Sequence, residues 1–78
     1  MTVFEEDGVV DYIKKRGLER PYLKAKKYLE LGYFRNVDLR KRKPKEAGIY
    51  YFKVDKKYRA IGYIEHGNFI VTEISDHQ

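Results

Sequence analysis

Between Arg35 and Arg59 the chain carries ten basic residues (Arg35, Arg40, Lys41, Arg42, Lys43, Lys45, Lys53, Lys56, Lys57 and Arg59) against three acidic ones, Asp38, Glu46 and Asp55. That stretch holds +7 of formal charge, while the rest of the chain holds −2. Such a split sets a positive field over part of the surface, which draws in polyanions and speeds their encounter. The plainer account is a solvated basic loop without a partner, and for an isolated run both accounts stay open. Tyr50, Tyr51, Tyr58 and Tyr63 lie among the cations or just after them. Aromatic rings stack on the bases of single-stranded RNA, and Tyr51 and Tyr63 are the candidates for base contact. The other two read as packing residues. His66 and His77 have no thiol and no neighbouring histidine. A structural zinc site is therefore not expected, and no cofactor is implied.

These side chains need a frame. The 78 residues show no repeat, low-complexity stretch or linker, so residues 1–78 are expected to form one small domain. Without cysteine, stability must come from an apolar core to which eight Tyr and four Phe contribute. No apolar run approaches the roughly 20 residues of a membrane span and no signal peptide is evident, so no membrane association and a cytoplasmic location are expected.

The first half has helical periodicity. Val9, Val10 and Ile13 share one face of a short helix, with Asp7 as its N-cap and Gly17 as its stop. Leu18, Tyr22, Ala25 and Leu29 mark a second helix that begins at Pro21 and ends at Gly32, with Lys24, Lys26 and Lys27 on or beside the opposite face. Thr2 to Phe4 forms either a short strand or an N-terminal brace.

From Ile49 the period changes to two. Strands are predicted over 49–54, 58–65 and 69–74, with turns at Asp55-Lys56-Lys57 and His66-Gly67-Asn68. Short loops make successive strands antiparallel. The expected fold is α+β: two N-terminal helices packed on one face of a curved antiparallel sheet of three to four strands. Alternation sends Tyr50, Phe52 and Val54 to the core and Lys53 to the other face, and likewise separates Arg59 from Ala60, Gly62 and Ile64. Lys53 and Arg59 are not core residues unless paired, and a bridge from Arg59 to Glu73 is one way to pair.

The run from Gly48 to Ala60, Gly-Ile-Tyr-Tyr-Phe-Lys-Val-Asp-Lys-Lys-Tyr-Arg-Ala, resembles the signature hairpin of the RelE/ParE toxin superfamily. Members read glycine, an aromatic, an apolar–basic–apolar strand, a short polar turn and then aromatic-arginine. The closing Val71-Thr72-Glu73-Ile74-Ser75-Asp76-His77 is similar to the tail of the HigB branch. Together these pieces span about half of the chain, and the helical half matches in general architecture only.

The resemblance implies a toxin of a type II toxin–antitoxin pair that cleaves messenger RNA in the ribosomal A site without a metal. Such chemistry requires help in removing the 2′-hydroxyl proton, stabilising an anionic phosphorane and protonating the leaving 5′-oxygen. By position, Arg59 matches the strand arginine that contacts the scissile phosphate, and its planar donors suit phosphate oxygens. Lys53 matches the basic residue of the preceding strand, and Asp76 the C-terminal aspartate. His77 falls where relatives carry tyrosine, and histidine is a residue type able to exchange protons near neutral pH and so serve as general acid or base. Gln78 falls where HigB relatives carry histidine, and glutamine cannot exchange a proton. Arg40, Lys41, Arg42, Lys43 and Lys45 occupy the place of a basic loop leading into the sheet and, with Lys56 and Lys57, are expected to bind RNA.

A cognate antitoxin, small and acidic or of helix-turn-helix type, is implied as a partner. Two other readings remain: a non-catalytic binder of RNA or ribosomes with the same fold, and a ParE-type inhibitor of DNA gyrase.

Overall fold

In a computed structural model, which describes residues 1–76, two helices pack on a five-stranded mixed sheet. Strand β1 (Val3–Glu5) comes first, followed by helices α1 (Val9–Lys15) and α2 (Glu19–Glu30). A 3₁₀ turn (Phe34–Val37), strand β2 (Arg40–Lys41) and a second 3₁₀ turn (Lys45–Ala47) lead into the meander β3 (Ile49–Lys53), β4 (Arg59–Glu65) and β5 (Asn68–Ser75). The order across the sheet is β1-β5-β4-β3-β2.

The sheet corrects the expected strand count. Five strands stand where three to four are predicted, and β1 runs parallel to β5, so the sheet is not wholly antiparallel. Both added strands are too short for a period of their own, and each is defined by its neighbour. Val3, Phe4 and Glu5 pair with Phe69, Ile70 and Val71. The outer edge of β1 is closed by the Glu30 carboxylate, which accepts the Val3 amide at 2.9 Å. Arg40 and Lys41 pair with Tyr51 and Tyr50, and the Arg42 amide donates to the Ile49 carbonyl at 2.7 Å.

The helices sit where their apolar spacing puts them. Val9, Ile13, Leu18, Tyr22, Ala25 and Leu29 are all buried. Val10 is not: it is 43% exposed, on the flank of a helix too short to bury a wide stripe. Both helices end in a Schellman motif. Gly17 and Leu18 donate to Lys14 and Ile13, and Gly32 and Tyr33 donate to Leu29 and Tyr28. Helix α2 starts two residues before Pro21, which therefore lies in the first turn, where its missing N–H leaves no gap. Gly8 rather than Asp7 is the N-cap of α1, and no side chain caps it.

One face of the sheet meets these helices. Phe52, Ala60, Phe69 and Val71 are fully buried, joined by Val54 and Ile74. The Phe52 and Phe69 rings meet edge to face at 5.2 Å, an arrangement worth about 0.5–1.5 kcal/mol beyond simple burial. Gly62 marks the shift in the β4–β5 register after Ile61. A side chain there would collide with the Ile70 carbonyl and approach the Phe69 ring to 2.9 Å, so β5 crosses at this height only over glycine. At the edge of the core the Tyr22 hydroxyl donates to Glu5 at 2.6 Å, and Lys26 pairs with the same carboxylate oxygen at 2.9 Å. This triad pins β1 to α2. Burial, helped by the Glu5 bond and the negative charges of Glu5 and Glu30, holds the Tyr22 phenol well above the ordinary tyrosine range.

Candidate nucleic-acid interface

The β3–β4 turn sets the geometry of the open face. Asp55 Oδ1 accepts the amides of Lys57 at 2.8 Å and Tyr58 at 2.7 Å, an Asx turn of the kind aspartate favours. With the turn closed, Lys53 and Arg59 become direct cross-strand partners. The next pair on the same face is Tyr51 with Ile61, and Arg40 of β2 stands beside Tyr51. Three strands thus bring Arg40, Tyr51, Lys53 and Arg59 together, whereas the sequence places the first and last of them 19 positions apart.

They line one recess of about 220 Å³, with Asp38 as the only carboxylate in its wall among the described residues. A second recess of about 410 Å³ shares Arg40, Tyr51 and Arg59 and is completed by Lys41, Arg42, Lys43 and Ile61. Among the described residues, six cations and one carboxylate therefore bound the two hollows. The Arg59 guanidinium lies 5.0 Å from the centre of the Tyr51 ring, which holds the arginine by a cation–π contact and leaves its N–H edges free for an anion. Among the described residues the one ion pair within 4 Å joins Lys26 to Glu5, on the other side of the sheet. The bridge from Arg59 to Glu73 is not formed. Glu73 stands opposite Ile61, and the direct partner of Arg59 on β5 is Ser75. A concentration of cations without carboxylate partners is unfavourable in isolation, and a polyanion relieves it.

The remaining predicted residues fall at graded distances from this centre. Lys56 leaves the turn toward a different cleft, shared with Lys53. Lys57 lies over the Tyr58 ring at 5.5 Å, and Lys45 is exposed in the second 3₁₀ turn; neither lines the two cationic hollows. Tyr63 is half-buried between Ile49 and Ile70 and also lines neither. Asp76 is exposed and follows Ser75, one position beyond the cross-strand partner of Arg59. His77 and Gln78 lie outside the described residues. His66 forms the β4–β5 turn with Gly67, both at positive φ, far along β4 from Arg59. No group of three His, Cys, Asp or Glu side chains that could hold a metal ion occurs among the described residues.

Asp38 is the residue that sequence reasoning missed. It has φ 50° and closes the first 3₁₀ turn, a left-handed position that aspartate tolerates better than most residues. The turn brings Asp38 to the wall shared with Lys53 and Arg59, residues 15 and 21 positions later in the chain. No local pattern signals that meeting.

No protein-family model matches the chain, and a search of curated proteins finds no match. No helix among the described residues is long and apolar enough to cross a membrane.

Proposed function

We propose that this chain is a cytoplasmic endoribonuclease of the RelE/HigB type, the toxin of a type II toxin–antitoxin pair that cuts messenger RNA in the ribosomal A site. The observation that carries the reading is the convergence of Arg40, Lys53 and Arg59 on one small recess, none of them in an ion pair among the described residues. A phosphodiester seated there meets a planar arginine donor edge and two further cations, the set that stabilises a phosphorane as charge builds on its equatorial oxygens.

In this reading the RNA 2′-hydroxyl attacks the adjacent phosphorus, the bond from phosphorus to the 5′-oxygen breaks, and the products end in a 2′,3′-cyclic phosphate and a 5′-hydroxyl. Arg59 and Lys53 stabilise the transition state. Asp38 is the carboxylate within the recess that can take the 2′-hydroxyl proton, while Asp76 and His77 are the candidates for returning a proton to the 5′-oxygen. Tyr51, already stacked by Arg59, offers its other surroundings to a base. The cations of the second hollow, Arg42 and Lys43 among them, bind the backbone of the same strand. An acidic segment of an antitoxin would cover the same cations.

The test is expression of the chain without an antitoxin. Growth arrest with cleaved translated messages is expected, and Arg59→Ala should abolish both. Harmless wild-type protein that leaves messages intact would overturn the assignment. A non-catalytic RNA or ribosome binder is the second reading, motivated by the C-terminus, where Gln78 stands in place of the histidine of HigB relatives and cannot exchange a proton. Salt-sensitive ribosome binding without a cleaved product distinguishes it. Inhibited supercoiling with unaffected translation would point instead to the gyrase-directed branch.

A further inference from the structure

A third hollow, of about 500 Å³, opens between α2 and the far end of β3. Its floor is apolar: Ala25 and Val37 are buried and Pro21 is half-buried. Half-buried Tyr28 stands in its wall, with its ring 6.3 Å from that of Tyr33. Lys24, Lys53 and Lys56 surround the opening, and none of the three pairs with a carboxylate among the described residues. Asp55 also lines the cleft, but its Oδ1 already accepts two turn amides. The Asn36 side chain makes no hydrogen bond to the protein among the described residues, so its amide is available to a ligand.

We propose that this cleft binds one nucleotide of the RNA strand, next to the phosphate held by Arg40, Lys53 and Arg59. The proposal rests on the RNA reading of that recess and adds a subsite to it. Lys53 borders both hollows, so a strand leaving the recess enters the cleft without crossing open sheet. The volume lies within the roughly 300–1,000 Å³ of ordinary small-molecule sites, enough for a base and its ribose. An apolar floor with one aromatic ring suits the face of a base, an amide suits its edge, and ammonium groups at the rim suit its phosphate. An acidic protein segment would use the lysines but would leave the floor and the amide unmatched.

The test uses the full chain and a length series of fluorescent oligouridylates at low salt. Wild type should gain affinity as the strand grows, up to the length that fills the cleft. Lys24→Ala with Lys56→Ala should lose about tenfold in affinity for the longest strand and little for the shortest, removing that last increment. Both lysines are exposed, so folding is not at issue. Lys15→Ala with Lys27→Ala removes equal charge from surfaces outside the three hollows and should keep the increment. Equal losses in the two double variants would reduce the effect to bulk charge and overturn the subsite. Wild-type binding without a length increment would also overturn it, while leaving the Arg59 recess standing. A wild-type chain that binds no strand of any length would remove both readings.

Discussion

The two faces of the sheet are built from alternate residues of the same three strands and are held by different physics. On the helix side, Phe52, Ala60, Phe69 and Val71 lose all contact with water and fit one another closely. On the open side, Lys53, Arg59 and Tyr51 interleave with them residue by residue, yet have no ion pair within 4 Å among the described residues. The first face is satisfied within the molecule. The second is left with unmet charge, and for a fold of this size that is where a ligand is expected to act. Stability and function should therefore separate cleanly between neighbouring positions of one strand.

Phe52→Ala is the strongest probe of that separation, because it opens a cavity at the centre of the helix-side face. A loss of about 3–5 kcal/mol is expected in denaturant titrations, enough to unfold much of a small domain. Arg59→Ala, seven residues along and on the open face, should leave the denaturation midpoint nearly unchanged. Cleavage by that variant should fall by about a hundredfold or more, as when a transition-state donor is removed elsewhere. Comparable unfolding by both substitutions would erase the distinction between the faces.

Asp38→Asn sharpens the comparison within the open face. Asparagine tolerates the left-handed backbone at this position, so the turn should survive. Removing a negative charge from a cationic recess should tighten RNA binding, while losing the proton acceptor should slow cutting by about a hundredfold. Tighter binding with undiminished cleavage would show that Asp38 serves the turn alone.

Tyr22→Phe tests the rim of the helix side. Loss of a hydrogen bond to a charged acceptor should cost about 1.5–3 kcal/mol at neutral pH. The folded phenol is held protonated well above its ordinary range, chiefly by burial. Its contribution is therefore complete below pH ~10 and declines as the pH rises past that unfolded-state value. The stability gap between wild type and Tyr22→Phe should narrow in alkaline solution, and a constant gap would argue against the burial of the phenol. The smallest effect is expected from Lys43→Ala, which should weaken binding to all RNA sequences alike and lower the salt slope by about 0.7.

The parts of this arrangement that depend on short-range pattern were legible in the residues. Alternation alone separates Phe52 from Lys53 and Ala60 from Arg59, and an aspartate-led turn brings the two cations into register. Helical spacing picks out Leu18, Tyr22, Ala25 and Leu29 as buried, and Gly17 and Gly32 as stops. What escaped depends on partners distant in the chain. Arg40 and Lys41 look like a charged loop until β3 offers them hydrogen bonds, and nothing near Asp38 announces the recess it reaches. Asp7 has the chemistry of an N-cap, but the left-handed backbone at Gly8 moves the cap one residue on. Glu73 seemed a natural partner for Arg59 by strand order alone. The extra residue at the Ile61–Gly62 shift belongs to a register that only the paired strands define.

The parallel seam between β1 and β5 also bears on how the chain matures during translation. Thr2 and Asn68, hydrogen-bonded across that seam, are separated by 66 positions, so the opening strand leaves the ribosome long before its neighbour has been synthesised. Its exposed amides and the Glu5 carboxylate must wait with Tyr22 and Lys26 until the meander arrives. Non-local pairing of this kind is slow compared with helix formation. The parallel seam is thus a late step in folding, closed only once β5 has formed beside β4.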